Sequence, residues 1–295
     1  MITIKEALTK KEMKDYVMFS FELYKNNPYW IPPIIAEELE TFDKTKNPAL
    51  QTAEAHFYLA YKDNKIVGKI AAIINWEEVN LLGKRKARFG WFDAIDDIEV
   101  TKALLDKVEE LGRKHNMDHM EGPMGFSNLD KVGILSEGFD QMGNMITWYS
   151  LPYYITHFEQ LGFIKEKEYI ESDFSFNGIN PEPFQKASEL IKKRYELRSL
   201  NFTKTKDIMP YVDKMFDLFN ETYSKLQSFV PINDIQKEYF KKKYIGFINP
   251  EFIKFIVDKN DNMIAFAIVM PGFAQALKKA NGKLFPFGFY HLLQA

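Results

Sequence analysis

The chain has 295 residues, a formal net charge of −2 and no cysteine. This length is typical of two domains, and the near-zero charge argues against nucleic acid as a partner. The lack of cysteine excludes disulfides, cysteine-ligated zinc, thiol nucleophiles and iron–sulfur clusters. No apolar stretch reaches the ~18 residues that a membrane-spanning helix requires, so we predict a cytoplasmic protein without a transmembrane segment.

The first half of the chain predicts strands and helices that alternate. Thr9 and Glu12 form a capping-box pattern, which predicts the start of a helix. Two β-rich apolar runs flank Asp63-Asn64-Lys65, a composition typical of a tight turn, so they predict a hairpin. In chain order the predicted elements are a strand over 2–5, helices over 9–24 and 34–42, strands over 57–61, 66–74 and 88–95, a helix over 99–115, a strand over 119–122, a helix over 153–160 and a strand over 168–176.

A stretch rich in Gly, Pro and Asn over 177–183 separates the two halves and predicts a linker. After it the sequence predicts an opening like that of the first half, with Asp234 as the N-cap of one helix. The predicted elements are helices over 184–195, 207–226 and 234–247, and strands over 197–202, 252–257 and 263–270. We therefore expect two domains, at 1–178 and 184–295.

Three short patterns in the second half repeat patterns of the first half at almost one spacing. The offsets are 199, 198 and 198 residues. The pairs are Tyr29-Trp30-Ile31-Pro32 with Ser228-Phe229-Val230-Pro231, Asp63-Asn64 with Asp261-Asn262, and Phe89-Gly90-Trp91-Phe92 with Phe287-Gly288-Phe289-Tyr290. Landmarks that keep one spacing indicate a duplicated domain. The sequence ends soon after the third pair, so we expect an incomplete second copy. Alternatively, a helix over 286–295 would make the third pair accidental.

The order of elements resembles the GNAT superfamily of acyl-CoA N-acyltransferases. Phe158-Glu159-Gln160-Leu161-Gly162-Phe163 is similar to the end of a motif that many of these enzymes carry late in the domain. A narrower resemblance, to bacterial tandem GNAT-like proteins, is carried by Glu121-Gly122-Pro123-Met124, Gly133-Ile134-Leu135, Glu137-Gly138-Phe139-Asp140 and Tyr153-Tyr154. The resemblance implies an α/β (α+β) fold of tandem domains, each a mixed, mostly antiparallel sheet flanked by helices.

The same resemblance implies that the full-length protein transfers an acyl group from CoA to an amine. Its partners would be a small-molecule amine and acyl-CoA, the latter a co-substrate and not a tightly bound cofactor. The alternatives are a non-catalytic module that binds a ligand or a partner through a GNAT-like fold, and an inactive chain.

The segment Asp96–Thr101 departs from the family pattern. In the family a glycine-rich loop lies here and binds the CoA diphosphate through backbone N–H groups. This segment has no glycine and three carboxylates, which would repel a diphosphate. We therefore predict that the first copy does not bind CoA in the usual way.

Several residues are candidates for a site, each with a structural alternative. Phe158 stands where the family has the tyrosine that protonates the leaving thiolate, and Tyr154 could substitute from one turn earlier or be a buried packing residue. The catalytic candidates are thus Tyr154 and Glu121, and the substrate-binding candidates are Phe126, Asn128, Tyr153 and His157. A structural turn at 122–126 and a surface position for His157 are the alternatives.

Two further expectations concern metals and assembly. His115 and His119 are four residues apart, but a pair of solvated or capping histidines explains them better than a metal site, so no metal is predicted. An incomplete second sheet would expose an unpaired strand edge, which predicts self-association through that edge.

Overall fold

The computed structural model describes residues 1–294 except Asn128, Gln227, Ser228 and Phe247. The described chain divides into two compact units. Unit 1 contains Met1–Lys167 together with the chain from Gly272 onward, and unit 2 contains Glu168–Pro271. The domain bounds inferred from the sequence follow the repeat and stay a prediction.

Unit 1 is built on a mixed sheet of five strands in the order β1-β2-β3-β4-β5. The strands are β1 (Ile2–Glu6), β2 (Ala53–Lys62), β3 (Lys65–Asn75), β4 (Lys86–Ala94) and β5 (His119–Glu121). The first four are antiparallel neighbours and β5 is parallel to β4. This confirms the mixed, mostly antiparallel sheet that the resemblance implies.

Helices cover both faces of this sheet. They are α1 (Lys10–Leu23), α2 (Ile35–Thr41), α3 (Ala49–Thr52), α4 (Trp76–Leu82), α5 (Ile98–Lys114) and α6 (Tyr153–Gln160). On one face α5 buries Val100, Leu104 and Val108, which recur at helical spacing. On the other face α1 buries Tyr16 and Val17. The capping box that starts α1 is present, as predicted.

An irregularity in β4 lies at the centre of unit 1. Lys69 of β3 is opposite Asp93, but Ala71 is opposite Gly90, so β4 carries one extra residue. This is a β-bulge, and Trp91 within it has a φ of 45°. A Cβ atom at Gly90 would lie 2.3 Å from the Met124 carbonyl oxygen, so only glycine permits the chain after β5 to pass this close.

Four charged side chains form a buried cluster where the beginning of β4 lies beside the end of β5. The Glu78 carboxylate of α4 pairs with Lys86 at 3.0 Å and with the Arg88 Nε at 2.8 Å. Glu121 of β5 pairs with Lys86 in the same cluster. Two cations balance two anions, and this balance offsets the desolvation of charges that are almost wholly buried.

In its described residues, unit 2 has a three-stranded antiparallel sheet, three α-helices, a π-helical turn (Lys241–Ile245) and a 3-10 turn (Pro250–Phe252). The elements are α7 (Glu182–Tyr195), β6 (Arg198–Leu200), α8 (Thr205–Tyr223), α9 (Asp234–Phe240), β7 (Ile253–Val257) and β8 (Met263–Ile268). The core of this unit includes Ile208, Val212 and Phe255. The N-cap of α9 is Asn233 and not Asp234 as predicted, because Asn233 makes a full capping box with Gln236.

Two of the three repeated landmarks occupy equivalent places in the two units. Helix α2 begins at Ile35 and α9 at Asp234, an offset of 199 residues. The β2–β3 and β7–β8 turns carry left-handed residues at Asp63 and Asp261, an offset of 198. Both units open as strand, helix, helix, hairpin, with matching strand orders. The repeat is therefore structural, which confirms the tandem α/β arrangement that the resemblance implies.

The chain after unit 2 forms two short helices, α10 (Ala274–Ala280) and α11 (Gly288–Leu293). Phe273 and Leu277 pack on Ile31 and Ile34 of unit 1. Since Phe287–Tyr290 lies at the start of α11 whereas Phe89–Phe92 lies in β4, the third repeated pattern is accidental. The alternative of a helix near 286–295 is confirmed over the bounds of α11.

The strand predicted over 168–176 is wrong. This stretch has no regular secondary structure, and Ile170 and Phe174 are 85% and 67% exposed. Its alternating apolar pattern finds no neighbouring strand in either described sheet. Of the helices in the described part of the chain, none has the length and apolar character needed to cross a bilayer.

The buried charge cluster generates a stability prediction. Glu78→Gln removes one of two anions and leaves a net positive charge out of water, so we expect a loss of about 3–5 kcal/mol of unfolding free energy. Urea denaturation checks this. Glu109→Gln is the control, since Glu109 pairs with Arg113 at the surface and exposed pairs contribute at most about 1 kcal/mol. Equal effects of the two substitutions would contradict the prediction.

Candidate functional site

A buried ion pair lies beside the bulge of β4. Lys69 and Asp93 are opposite each other in the β3–β4 ladder, and both are more than nine-tenths buried. The Lys69 Nζ lies 3.5 Å from the Asp93 Oδ2 and 5.0 Å from the centre of the Tyr16 ring. Charges are rarely buried unless they are paired, and each of these two strand residues provides the opposite charge for the other.

Asp93 also accepts hydrogen bonds from two helices. Ser20 Oγ donates to Oδ2 at 2.7 Å, and the Tyr24 hydroxyl donates to Oδ1 at 2.8 Å. The Tyr154 hydroxyl of α6 lies 3.3 Å from Oδ1. A carboxylate has about four acceptor sites, and with Lys69 all four are used. Asp93 therefore joins α1 and α6 to the bulge and has no spare capacity to act as a base.

The two tyrosines bound to Asp93 stay protonated at neutral pH. Burial raises the pKa of the Tyr24 and Tyr154 hydroxyls well above 10, and the Asp93 carboxylate acts in the same direction. The Tyr154 hydroxyl also accepts a hydrogen bond from the Ala94 amide at 3.0 Å. Tyr154 thus holds Ala94, the last residue of β4, in place.

A cavity of about 50 Å³ opens next to this cluster. Since one water requires about 10–15 Å³, the cavity has room for a small polar head group. Aromatic side chains form much of its wall, and one end contains the charged residues. The lining includes Ser20, Tyr24, Trp30, Ile31, Pro33, Glu38, Lys69, Trp91, Phe92, Asp93, Pro123, Lys131, Gly133, Ile134, Gly143, Asn144, Thr147, Trp148, Tyr149, Ser150 and Tyr154.

Two oppositely charged side chains of the lining are unpaired. Among the residues that the structure describes, neither the Glu38 carboxylate nor the Lys131 ammonium has a hydrogen-bond or ion-pair partner. Burial lowers the pKa of Lys131, Glu38 and Asp93 oppose this shift, and Lys69 adds to it. These two residues are therefore the charged groups that a bound molecule could engage without breaking an existing contact.

At the start of α5, where the family binds a diphosphate, backbone amides are already hydrogen-bonded to Asp97. Asp97 is the N-cap, and its Oδ1 accepts the Glu99 amide at 3.1 Å while its carbonyl accepts the Val100 amide at 3.0 Å. Lys62 donates to Asp97 Oδ2 at 2.8 Å, and this hydrogen bond lowers the pKa of the Asp97 carboxyl. A phosphate here would have to displace an ionised carboxylate from the amides.

The candidates on α6 lie along β4 and the start of α5. Tyr154 lines the cavity, whereas the Tyr153 hydroxyl donates to the Ala94 carbonyl at 2.7 Å and burial raises its pKa. His157 is buried and bridges Thr101 Oγ1 at 2.9 Å to Asp96 Oδ1 at 3.1 Å. The structure thus brings the three α6 residues together, with Tyr154 alone among them at the cavity.

The remaining candidates lie near the end of β5. Glu121 is in the buried charge cluster with Lys86. Phe126 is 2% exposed and packs on Trp91 with ring centres 5.3 Å apart, outside the cavity lining. Asn128 lies outside the described residues. The catalytic and substrate-binding roles of the six residues stay predictions.

Sequence reasoning missed the residues that form the charged end of the cavity. A usable signal existed for two of them, because Lys69 and Asp93 each lie between uncharged residues of a largely apolar strand, where a charge requires a partner. No comparable pattern marks Glu38 or Lys131. Helix α2 is acidic throughout, and Lys131 follows a turn.

The unpaired lysine generates a prediction about stability and pH. Because burial lowers the pKa of Lys131, the folded state holds this proton less tightly than the unfolded state. We expect Lys131→Met to raise the unfolding free energy at pH 7 by on the order of 1 kcal/mol. The advantage should shrink as pH rises toward 10.5 and the wild-type amine loses its charge. Urea denaturation at both pH values checks this, and a less stable variant at pH 7 would contradict it.

No protein-family model matches the chain. Protein YghO of Escherichia coli strain K12 is 27% identical over 295 residues, which covers 98% of this chain and 73% of that protein. A protein of Caulobacter vibrioides named bacterial ceramide synthase is 27% identical over 179 residues, 60% of this chain and 47% of that protein.

Solved structures of low identity also match the chain. A tandem GNAT protein from the clavulanic acid biosynthesis pathway matches with a TM-score of 0.48 and 11% identity, over 92% of this chain and 76% of that one. An aminoglycoside acetyltransferase from an uncultured soil metagenomic sample matches with a TM-score of 0.35 and 12% identity, over 59% and 99%.

Proposed function

We propose that the protein transfers an acyl group from acyl-CoA to a primary amine, and that unit 1 holds the amine in the cavity beside Asp93. The observation that carries this proposal is a cavity at the bulge of β4 with a carboxylate in its lining, Glu38, that has no partner among the described residues. A carboxylate at such a site attracts an ammonium group by charge and can then take the proton that amide formation releases.

The reaction needs a base, a positioned amine and a donor for the oxyanion. Glu38 is the group assigned to take the first proton from the ammonium. The neutral amine nitrogen then attacks the thioester carbonyl and forms the C–N bond, the C–S bond breaks, and the second proton lost by the nitrogen goes to the thiolate, so that CoA leaves as the thiol. Trp91 and Phe92 have no partner residues on β3, so the bulge is the place where a strand N–H can face the oxyanion.

Unit 1 is assigned the amine and not the CoA diphosphate. The amides at the start of α5 are already bonded to Asp97, and that carboxylate is ionised and held by Lys62. Acyl-CoA is therefore a co-substrate that the start of α5 does not hold. His157 is hydrogen-bonded to both Thr101 and Asp96 there, so these polar side chains at the start of the helix also have partners already.

One relative supports the amine as acceptor class. The Caulobacter protein is named a ceramide synthase, and a ceramide is the amide of a long-chain amine and a fatty acid. Transfer of an acyl group to an amine nitrogen is thus the reaction class that we bring to this chain.

The second candidate is a unit 1 that binds a ligand without catalysis. Phe158 favours it, because this residue has no proton to give and packs in the core with Phe89 and Phe92. Tyr154 is not free to replace Phe158 as a proton donor, since the Tyr154 hydroxyl is hydrogen-bonded to Ala94 and Asp93. Transfer in this case would depend on groups outside unit 1.

The assay for transfer is release of the CoA thiol from a fatty acyl-CoA in the presence of a primary amine. The protein has no cysteine, so a thiol reagent reads only the product. We expect Glu38→Gln to lower the rate by about 10²–10⁴-fold, the usual contribution of a general base. Glu40→Gln is the matched control on the same helix, where Glu40 pairs with Lys46 at the surface. Full activity of Glu38→Gln would contradict the proposal.

The closed start of α5 generates a separate prediction. Asp97→Ala should leave the affinity for CoA unchanged or raise it, because it removes a negative charge from the place where a diphosphate would lie. It should also cost about 0.5–2 kcal/mol of unfolding free energy through loss of the N-cap. Calorimetric titration with CoA and urea denaturation check the two parts. A clear fall in CoA affinity would show that this terminus is part of the CoA site.

A further inference from the structure

The charged end of the cavity contains groups of both signs on four different elements or loops. Glu38 is on α2, Lys69 on β3, Asp93 on β4, and Lys131 follows the turn after β5. Lys69 and Asp93 are paired with each other at 3.5 Å. In the described part of the chain, Glu38 and Lys131 have no such partner.

Glu38 and Lys131 interact electrostatically but are not in contact. The Glu38 charge is the largest influence that opposes the lowering of the Lys131 pKa by burial, so the two side chains share one region of the cavity. No ion pair within 4.0 Å joins them among the described residues. A gap between an acid and a base that share a cavity is the arrangement that a zwitterion would bridge.

Charge balance selects among small ligands. A simple amine would pair with Glu38 and leave the Lys131 ammonium unpaired and partly buried, which is unfavourable. A simple carboxylate would pair with Lys131 and leave Glu38 unpaired. A phosphate would bring two negative charges toward two carboxylates, Asp93 and Glu38. A molecule with one ammonium and one carboxylate satisfies both unpaired groups.

The volume of the cavity also favours a small molecule with one ammonium and one carboxylate. A cavity of about 50 Å³ holds only a few water-sized groups. An amino group and a carboxylate on one carbon fit this space, whereas two charges separated by a long chain do not. Aromatic walls at Trp30, Trp91 and Trp148 suit a short apolar side chain beside the charges.

We infer that the amine bound in this cavity is a small α-amino acid, with its carboxylate on Lys131 and its ammonium on Glu38. The inference rests on the proposed function for the acyl transfer and on the cavity alone for the binding. Glu38 then has two successive tasks, to hold the ammonium and to take a proton from it so that the neutral nitrogen can attack. Lys131 is a positioning residue that fixes the carboxylate.

The direct test is calorimetric titration of the full chain with three matched probes: L-alanine, ethylamine, which lacks the carboxylate, and propionate, which lacks the amine. We expect L-alanine to bind at least tenfold more tightly than either fragment. Equal binding of ethylamine or of propionate would overturn the inference. So would the absence of L-alanine binding in the millimolar range.

Variants separate a binding role from a structural one. Lys131→Met should reduce L-alanine binding at least tenfold and leave ethylamine binding unchanged, while Glu38→Gln should weaken both of these ligands. Lys44→Met, at an exposed position of the same unit, is the control and should bind like the wild type. Thermal unfolding confirms that each variant is folded. Unchanged L-alanine binding by Lys131→Met would contradict the inference.

The outcome also distinguishes failure of the inference from failure of the proposed function. If L-alanine binds as expected but releases no CoA from any acyl-CoA, the amino-acid site stands and the transferase proposal falls. If CoA is released equally with ethylamine and with L-alanine, the transferase proposal stands and the amino-acid inference falls.

Discussion

The buried ion pair between Lys69 and Asp93 is the constraint on which the functional part of unit 1 depends. Both charges sit on central strands of the sheet, where an unpaired charge would be strongly destabilising. Asp93 forms an ion pair with Lys69. Its carboxylate also accepts hydrogen bonds from Ser20 and Tyr24 of α1 and from Tyr154 of α6. One carboxylate thus positions two helices around the bulge of β4, and the cavity is the space that this arrangement leaves open.

The structure separates two places that the family resemblance would treat as one site. At the start of α5, Asp97 is paired with Lys62 and Asp96 with His157. In the cavity, Glu38 and Lys131 have no partner among the described residues. Since ligands bind most favourably where they satisfy groups that the protein itself leaves without a partner, we propose that recognition in unit 1 takes place at the cavity.

Much of the architecture follows from local sequence patterns. The capping box at Thr9, the turn at Asp63-Asn64 and the helical spacing of α5 are short-range signals, and the structure confirms each. The false strand at 168–176 shows the limit of such signals, because alternation predicts a strand only where a partner exists. The cavity joins residues more than ninety positions apart, from Glu38 to Lys131, so no local pattern could have assembled it.

The most direct measurement of the central claim is a crystal structure of the full chain grown with both CoA and L-alanine. We expect the amino acid to lie in the cavity between Glu38 and Lys131, with no diphosphate in contact with the start of α5. A CoA diphosphate seated on the amides of residues 98–101 above an empty cavity would contradict it.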